Sequence, residues 1–253
     1  MRHKSNNFDI LSIVLIISVF ITLFASVRLI DKTITRLIDE KVAFFITIVI
    51  VLLSLVCVCK RSESANKRCI KVDYSLPNVR FIIFSVGLPI CAFMCTCFLS
   101  LIQGKKMVEL SSYKAISNFW IFKMFLFSFW EEFIFRKNIF VRLTLISNKR
   151  VAIWISSIGF GLMHLNLAKN VSVLFLFFRI AEVIAFGILL CYLLDTTESI
   201  LLCTLLHFTW NVLFSIVGLR DCMFWVLFCS ICFILWGIYY LGMHQRCDNE
   251  QVR

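Results

Sequence analysis

The feature that most constrains the fold is a series of long apolar blocks separated by short polar segments. A helix needs about 20 residues to cross the hydrocarbon core of a bilayer, and most of the blocks reach that length. Because Gly occurs only 8 times and Pro twice in 253 residues, few helix breakers interrupt the blocks, which favours helices over strands. We predict an all-α, polytopic transmembrane helix bundle with about eight spanning helices. The predicted helices cover residues 8–30, 42–59, 79–103, 118–146, 151–167, 171–194, 199–217 and 222–242.

The positive charges of the chain lie between the apolar blocks. The formal net charge is +11, and a basic chain can indicate nucleic-acid binding. Here the charges form short runs beside apolar blocks, which is typical of membrane loops that face anionic lipid. We therefore predict that the chain contacts a lipid bilayer and no nucleic acid.

The distribution of Lys and Arg among the polar segments also predicts an orientation. These residues are more frequent in the segments that would be cytoplasmic if both termini are cytoplasmic, although segment 28–41 carries four of them on the opposite side. The positive-inside rule then predicts an integral protein of the plasma membrane with both termini in the cytoplasm. The sequence does not indicate an oligomeric state.

The cysteines and the organisation of the chain add little that points to a second function. Most of the 12 cysteines lie in apolar blocks, where a free Cys behaves as a small hydrophobic residue. Cys229 and Cys232 form a C-x-x-C without a nearby charge, so we assign them no redox or metal role. We divide the chain into N-terminal transmembrane helices without a motif (1–118), a helix core that carries the motifs (119–217), and a last transmembrane helix with a polar tail (218–253).

Two acids and a base within one apolar block are the most informative residues of the sequence. Each charge inside a membrane helix costs about 2.5–3.5 kcal/mol on insertion scales, yet Glu131, Glu132 and Arg136 lie within eight largely aromatic residues. Glu132 and Arg136 are at i and i+4 and can pair, whereas Glu131 lies about 100° around the helix. We predict that Arg136 holds Glu132 and that Glu131 serves as a general base or acid. The alternative is a salt-bridge cluster that only fixes helix packing.

Further polar residues lie in two later apolar blocks. His164 ends the predicted helix 151–167, with Phe160 one turn earlier. His207 and Asn211 are at i and i+4 in the helix 199–217, so they share a face and point at one place. A single His in such a position is more often a hydrogen-bonded packing residue, but the combination with two Glu and an Arg is hard to explain by packing alone.

Three other intramembrane charges have simpler explanations. Lys123 lies about two turns before Glu131 and could extend to the membrane interface or join the site. Arg179 and Glu182 are at i and i+3, so we predict a structural ion pair.

These three polar segments together resemble the CPBP family, which comprises CAAX prenyl endopeptidases and bacterial relatives described as bacteriocin-processing or immunity proteins. The resemblance covers roughly residues 119–217, and Lys137 departs from it where many relatives have Gly. Three motifs in order, each within an apolar helix, make the signal specific. The matching residues are Glu131-Glu132-x-x-x-Arg136, Phe160-x-x-x-His164 and His207-x-x-x-Asn211.

The resemblance implies peptide-bond hydrolysis within the membrane. Glu131 would activate a water with the help of His164, and His207 and Asn211 would stabilise the oxyanion. Glu132, paired with Arg136, would position its neighbours. The expected substrate is a small peptide or a membrane-anchored protein.

Metal dependence is open at the level of sequence. Glu131, His164 and His207 could bind a divalent metal such as zinc, but the chain has no His-Glu-x-x-His motif. A glutamate mechanism without a metal fits the same residues.

Two other functions remain as alternatives. A non-catalytic immunity or partner-binding membrane protein would use the same residues for packing. A transporter could couple protons through the buried carboxylates, although the sequence shows no inverted repeat or pair of broken helices.

Overall fold

A computed structural model describes residues 78–104, 118–164, 172–216 and 223–251 of the chain. In these residues the structure is 94% helix without a strand, which confirms the predicted all-α class. The helices are α1 (Val79–Ile102), α2 (Asn118–Glu132), a π-helical segment (Phe133–Phe140), α3 (Val141–Ile146), α4 (Lys149–Met163), α5 (Val173–Thr197), α6 (Ile200–Ile216) and α7 (Met223–Gln251).

The predicted helix boundaries agree with the structure where both exist, with differences at polar ends. The side chain of Asn148 accepts a hydrogen bond from the backbone N–H of Val151 (2.9 Å), so α4 begins at Lys149, two residues before the predicted start. The last helix continues beyond residue 242 through polar residues to Gln251. The predicted helices 8–30 and 42–59 lie outside the described residues.

Three of the described helices are long and apolar enough to cross a membrane: α1, α5 and residues Phe224–Gln245 of α7. The apolar part of α6, Ile200–Ser215, is shorter. The helical stretch 118–146 is long enough, but it carries the acidic pair and several basic residues. The total of eight spans therefore stays a prediction.

The chain divides into two compact units. One consists of Met1–Ile70 and Lys137–Ala152, of which the structure describes only 137–152; the other consists of Lys71–Arg136 and Ile153–Arg253. All six predicted site residues belong to the second unit. The predicted division of the chain at residues 118 and 217 stays a prediction.

Within the second unit α6 is the central helix. It packs against α1, α2 and α5, while α7 packs against α1 and α5. The side chains of Leu202 and Leu206 on α6 are almost fully buried, as are those of Leu189 and Leu193 on α5. A polar side chain on an inward face of α6 is therefore surrounded by protein and not by lipid.

Small residues bring α4 and α5 close together. A Cβ added to Gly161 would clash with the Ile184 side chain, and one added to Gly187 would lie 3.0 Å from the Ser157 Cβ. Membrane helices associate closely where small residues let their backbones approach. This approach places backbone carbonyls of α5 within reach of side chains from neighbouring helices.

Candidate active site

The first element of the site is a fully buried ion pair at the end of α2. The Arg136 Nε lies 3.1 Å from the Glu132 Oε2, and neither side chain has any exposed surface. The predicted i, i+4 contact is therefore present. Because two unpaired charges would be very costly in this setting, each depends on the other.

Other helices complete the surroundings of the Arg136 guanidinium. Its Nη2 donates to the backbone carbonyl of Gly187 on α5 (3.4 Å), and its Cζ lies 4.3 Å from the centre of the Phe160 ring on α4. Arg136 itself lies in the π-helical segment, whose wider turn is a feature often found at functional sites. The Ser156 hydroxyl of α4 donates to the carbonyl of Phe135 in this segment (2.9 Å).

His207 joins the ion pair from α6. Its Nδ1 lies 2.8 Å from the Glu132 Oε1. The other oxygen of the same carboxylate pairs with Arg136, and a carboxylate oxygen can only accept, so the Nδ1 carries the proton and donates it to this bond. The Nε2 of the same ring lies 3.8 Å from the Glu131 Oε2.

His164 approaches the same oxygen from the end of α4. Its Nδ1 lies 2.8 Å from the backbone carbonyl of Phe160. A carbonyl oxygen can only accept, so this nitrogen also carries a proton. The His164 Nε2 lies 3.9 Å from the Glu131 Oε2.

The imidazoles of His164 and His207 therefore both turn their Nε2 atom toward Glu131. In its neutral form each ring presents an Nε2 lone pair, and both lone pairs converge on the Oε2 of the carboxyl group. Distances of 3.8 and 3.9 Å are too long for direct hydrogen bonds and suit a bridging water. The Glu131 side chain is 11% exposed, in contrast to the buried Glu132. Sequence reasoning separated Glu131 from Arg136, and the structure places it beside the two histidines.

Phe160 connects all of these groups. Its ring centre lies 4.7 Å from that of His164, 5.6 Å from that of His207 and 5.3 Å from that of Phe135. Its carbonyl orients His164 and its face covers Arg136. The Phe-x-x-x-His spacing was visible in the sequence, but it did not reveal that one ring touches both histidines and the arginine.

Asn211 lies one turn further along α6 and contacts a residue that sequence reasoning missed. Its Nδ2 donates to the Ser128 Oγ on α2 (3.3 Å). Ser128 is completely buried and precedes Glu131 by three residues, so the sequence placed it on the face of the acidic pair. The structure thus brings five of the six predicted residues into one cluster. The sixth, Asn211, is linked to this cluster through its contact with Ser128 on α2.

The remaining intramembrane charges lie in separate contacts. The Lys123 Nζ lies 6.0 Å from the centre of the Phe127 ring, one turn along α2. The predicted ion pair of Arg179 and Glu182 is present on α5.

The nitrogen and oxygen donors around Glu131 are of the types that zinc binds in proteins. In the described part of the chain, no three His, Cys, Asp or Glu side chains are grouped closely enough to hold a metal ion. The chemistry of the donors nevertheless resembles that of zinc ligands, since both histidines donate their Nδ1 proton to an oxygen acceptor and leave Nε2 for coordination. Glu131, His164 and His207 therefore stay the candidate ligands if a metal is bound.

The part of the chain that carries the site motifs matches a known protein family model. Residues 114–213 match the family model described as type II CAAX prenyl endopeptidase Rce1-like, a segment that contains all three motifs. Comparisons with curated proteins and with solved structures found no significant match. This match over residues 114–213 confirms the family resemblance predicted from the motifs.

Proposed function

We propose that this chain is an intramembrane endopeptidase that hydrolyses a peptide bond in a small peptide or a membrane-associated protein. The observation that carries the proposal is the convergence of two imidazole Nε2 atoms on the Glu131 Oε2, at 3.8 and 3.9 Å. The family match supports a protease of the CAAX type.

In the proposed reaction Glu131 activates a water molecule. The water bridges the Glu131 carboxylate and the His164 Nε2, donates one proton to the carboxylate and attacks the scissile carbonyl carbon. The protonated Glu131 then returns the proton to the leaving nitrogen as the C–N bond breaks. A positioned general base of this kind contributes about 10²–10⁴-fold to a rate.

His207 and Asn211 are the proposed donors to the oxyanion. Because the Nδ1–H of His207 donates to Glu132, only the Nε2 of this ring faces Glu131. This atom donates to the oxyanion in the imidazolium form of the ring, in which both nitrogens carry protons. The Asn211 carboxamide supplies a second N–H from the same face of α6. Donors held in place before the reaction stabilise developing negative charge more than mobile ones do.

Glu132 and Arg136 have a positioning role in this proposal. The Glu132 carboxylate fixes the His207 tautomer and ring orientation, and Arg136 pairs with that carboxylate. Neither group needs to contact the substrate.

A metalloprotease that uses the same residues is the alternative. Glu131, His164 and His207 would hold a divalent metal, and it would polarise the scissile carbonyl or a water. Metal analysis of the purified protein, together with cleavage measured before and after chelation, separates the alternatives. A stoichiometric metal whose removal abolishes cleavage supports the metalloprotease, and full activity of a metal-free sample supports the glutamate mechanism.

The proposal is tested with purified protein in liposomes and a mixture of farnesylated peptides that vary in their last three residues. We expect the unaltered protein to shorten one or more peptides and, in ¹⁸O-water, to place one heavy oxygen in the new carboxylate. Glu131→Gln and His164→Ala should not cleave. Glu182→Gln, a change to a buried acid on α5, is the matched control and should cleave.

Two results would contradict the proposal. One is cleavage at the unaltered rate by folded Glu131→Gln and His164→Ala proteins. The other is a lack of cleavage by the unaltered protein across the whole peptide mixture, which would favour a non-catalytic partner-binding protein.

A further inference from the structure

A second hydrogen bond joins α2 and α6 one turn from the acidic pair. Ser128 precedes Glu132 by four residues on α2, and Asn211 follows His207 by four residues on α6. The two cross-helix bonds, Glu132 with His207 at 2.8 Å and Ser128 with Asn211 at 3.3 Å, are therefore about 6 Å apart along the helix axes. The two helices meet in antiparallel direction along this line.

The bond matters because a carboxamide is easily misoriented. The last torsion of Asn is broad, so packing alone does not decide where its two N–H groups and its oxygen point. The Ser128 Oγ, on a completely buried side chain, accepts from one N–H of Asn211. With that atom held, the positions of the other N–H and of the oxygen are fixed as well.

We infer that Ser128 is a positioning residue for Asn211, holding its carboxamide in the orientation that donates to the oxyanion. This inference rests on the proposed function, in which Asn211 is an oxyanion donor. Ser128 does not contact the reacting atoms, and its effect on the reaction passes through Asn211 alone.

The first test compares steady-state rates on a quenched farnesylated peptide in liposomes. Removing a single oxyanion donor typically costs about 10²–10³-fold in kcat, and a misoriented donor should cost less, about tenfold. We expect Ser128→Ala to lower kcat by about this factor with little change in KM. Ser128→Thr keeps the hydroxyl and should restore most of the rate.

The decisive measurement is a double-mutant cycle between the two residues. If Ser128 acts through Asn211, Ser128→Ala should produce no further loss of kcat in an Asn211→Ala background. Equal losses in both backgrounds, or an unaltered rate for Ser128→Ala, would overturn the inference. The matched control is Ser100→Ala on α1, where a buried hydroxyl has no hydrogen-bond partner among the described residues and kcat should stay unaltered.

A second measurement does not depend on cleavage. Thermal unfolding of the four proteins of the cycle in detergent should show non-additive losses of Tm, because the same bond is removed in each single variant. Additive losses would overturn the inference even if no peptide were cleaved. Failure of the proposed function has a different signature, which is cleavage by Glu131→Gln at the unaltered rate.

Discussion

Among the described residues, two acid–arginine pairs lie inside apolar helical segments, and they differ in what surrounds them. Glu132 and Arg136 are at i and i+4, and both side chains are 0% exposed. Arg179 and Glu182 are at i and i+3 on α5, and the side chain of Arg179 is 38% exposed. By spacing and by membrane cost alone the two pairs are similar, although the neighbouring Glu131 led us to place only the first in the candidate site.

The contacts beyond each pair separate the two. Glu132 reaches His207 on α6, while Arg136 reaches the Phe160 ring on α4 and the Gly187 carbonyl on α5. The described contact of Arg179 and Glu182 stays within their own helix. The Glu132–Arg136 pair therefore differs from the Arg179–Glu182 pair in linking several helices to further polar groups, and this difference supports the proposed catalytic role of its surroundings.

The largest expected effect is that of Arg136→Gln. It leaves the Glu132 carboxylate buried and without its cation, and breaking a buried pair in this way costs about 3–5 kcal/mol. We expect a large loss of Tm in detergent and loss of peptide cleavage, because the orientation of His207 depends on Glu132. An Arg136→Gln protein with unaltered Tm and cleavage would show that the two pairs are equivalent after all.

Phe160→Leu should have the next largest effect. The backbone carbonyl that orients His164 remains, but the ring over Arg136 and beside His207 is lost. A cation–π contact contributes about 0.5–2 kcal/mol, so we expect a fall in cleavage rate of about tenfold. Phe178→Leu is the control, since that ring is exposed on α5; a loss of similar size in both variants would remove the special role of Phe160.

Gly187→Ala should have a moderate effect on stability. Its Cβ would lie 3.0 Å from the Ser157 Cβ and 3.1 Å from the Ser157 Cα, and forced overpacking costs about 1–3 kcal/mol. Gly87→Ala on α1 is the control, because a Cβ there meets nothing within 4 Å and Ala favours a helix. Thermal unfolding should show a lower Tm for the first variant only. An unchanged Tm for Gly187→Ala would mean that α4 and α5 do not need this close approach.

The smallest effect is expected from the double change Arg179→Gln with Glu182→Gln. The Arg179 side chain is 38% exposed, and an exposed pair contributes at most about 1 kcal/mol, so cleavage should stay within about twofold of the unaltered rate. The corresponding change Glu132→Gln with Arg136→Gln should abolish cleavage even in a folded protein. Loss of cleavage in both double variants would remove the distinction between the pairs.

The sequence predicted the individual helices and the local contacts better than the geometry between helices. The helical stretch 118–146 follows from the length of its apolar block. The Glu132–Arg136 and Arg179–Glu182 contacts follow from their i, i+4 and i, i+3 spacings. All of these are properties of a single helix. Two other contacts depend on how helices approach each other: that of Ser128 with Asn211, and that of Arg136 with the Gly187 carbonyl. One-dimensional spacing carries no information on that approach, so these residues were missed.

Glu131 shows the same limit within the site. Helical geometry placed it away from Arg136, but it did not show that His164 and His207 would turn their Nε2 atoms toward its Oε2. That arrangement requires the Phe160 carbonyl and the Glu132 carboxylate to engage the other nitrogen of each ring.

Single-turnover cleavage with Glu131→Gln measures directly whether Glu131 acts on a water in the chemical step. We predict that this variant binds the farnesylated peptide with a nearly unaltered Kd and cleaves it about 10²–10⁴-fold more slowly. A single-turnover rate close to that of the unaltered protein, in a folded variant that binds the peptide, would contradict it.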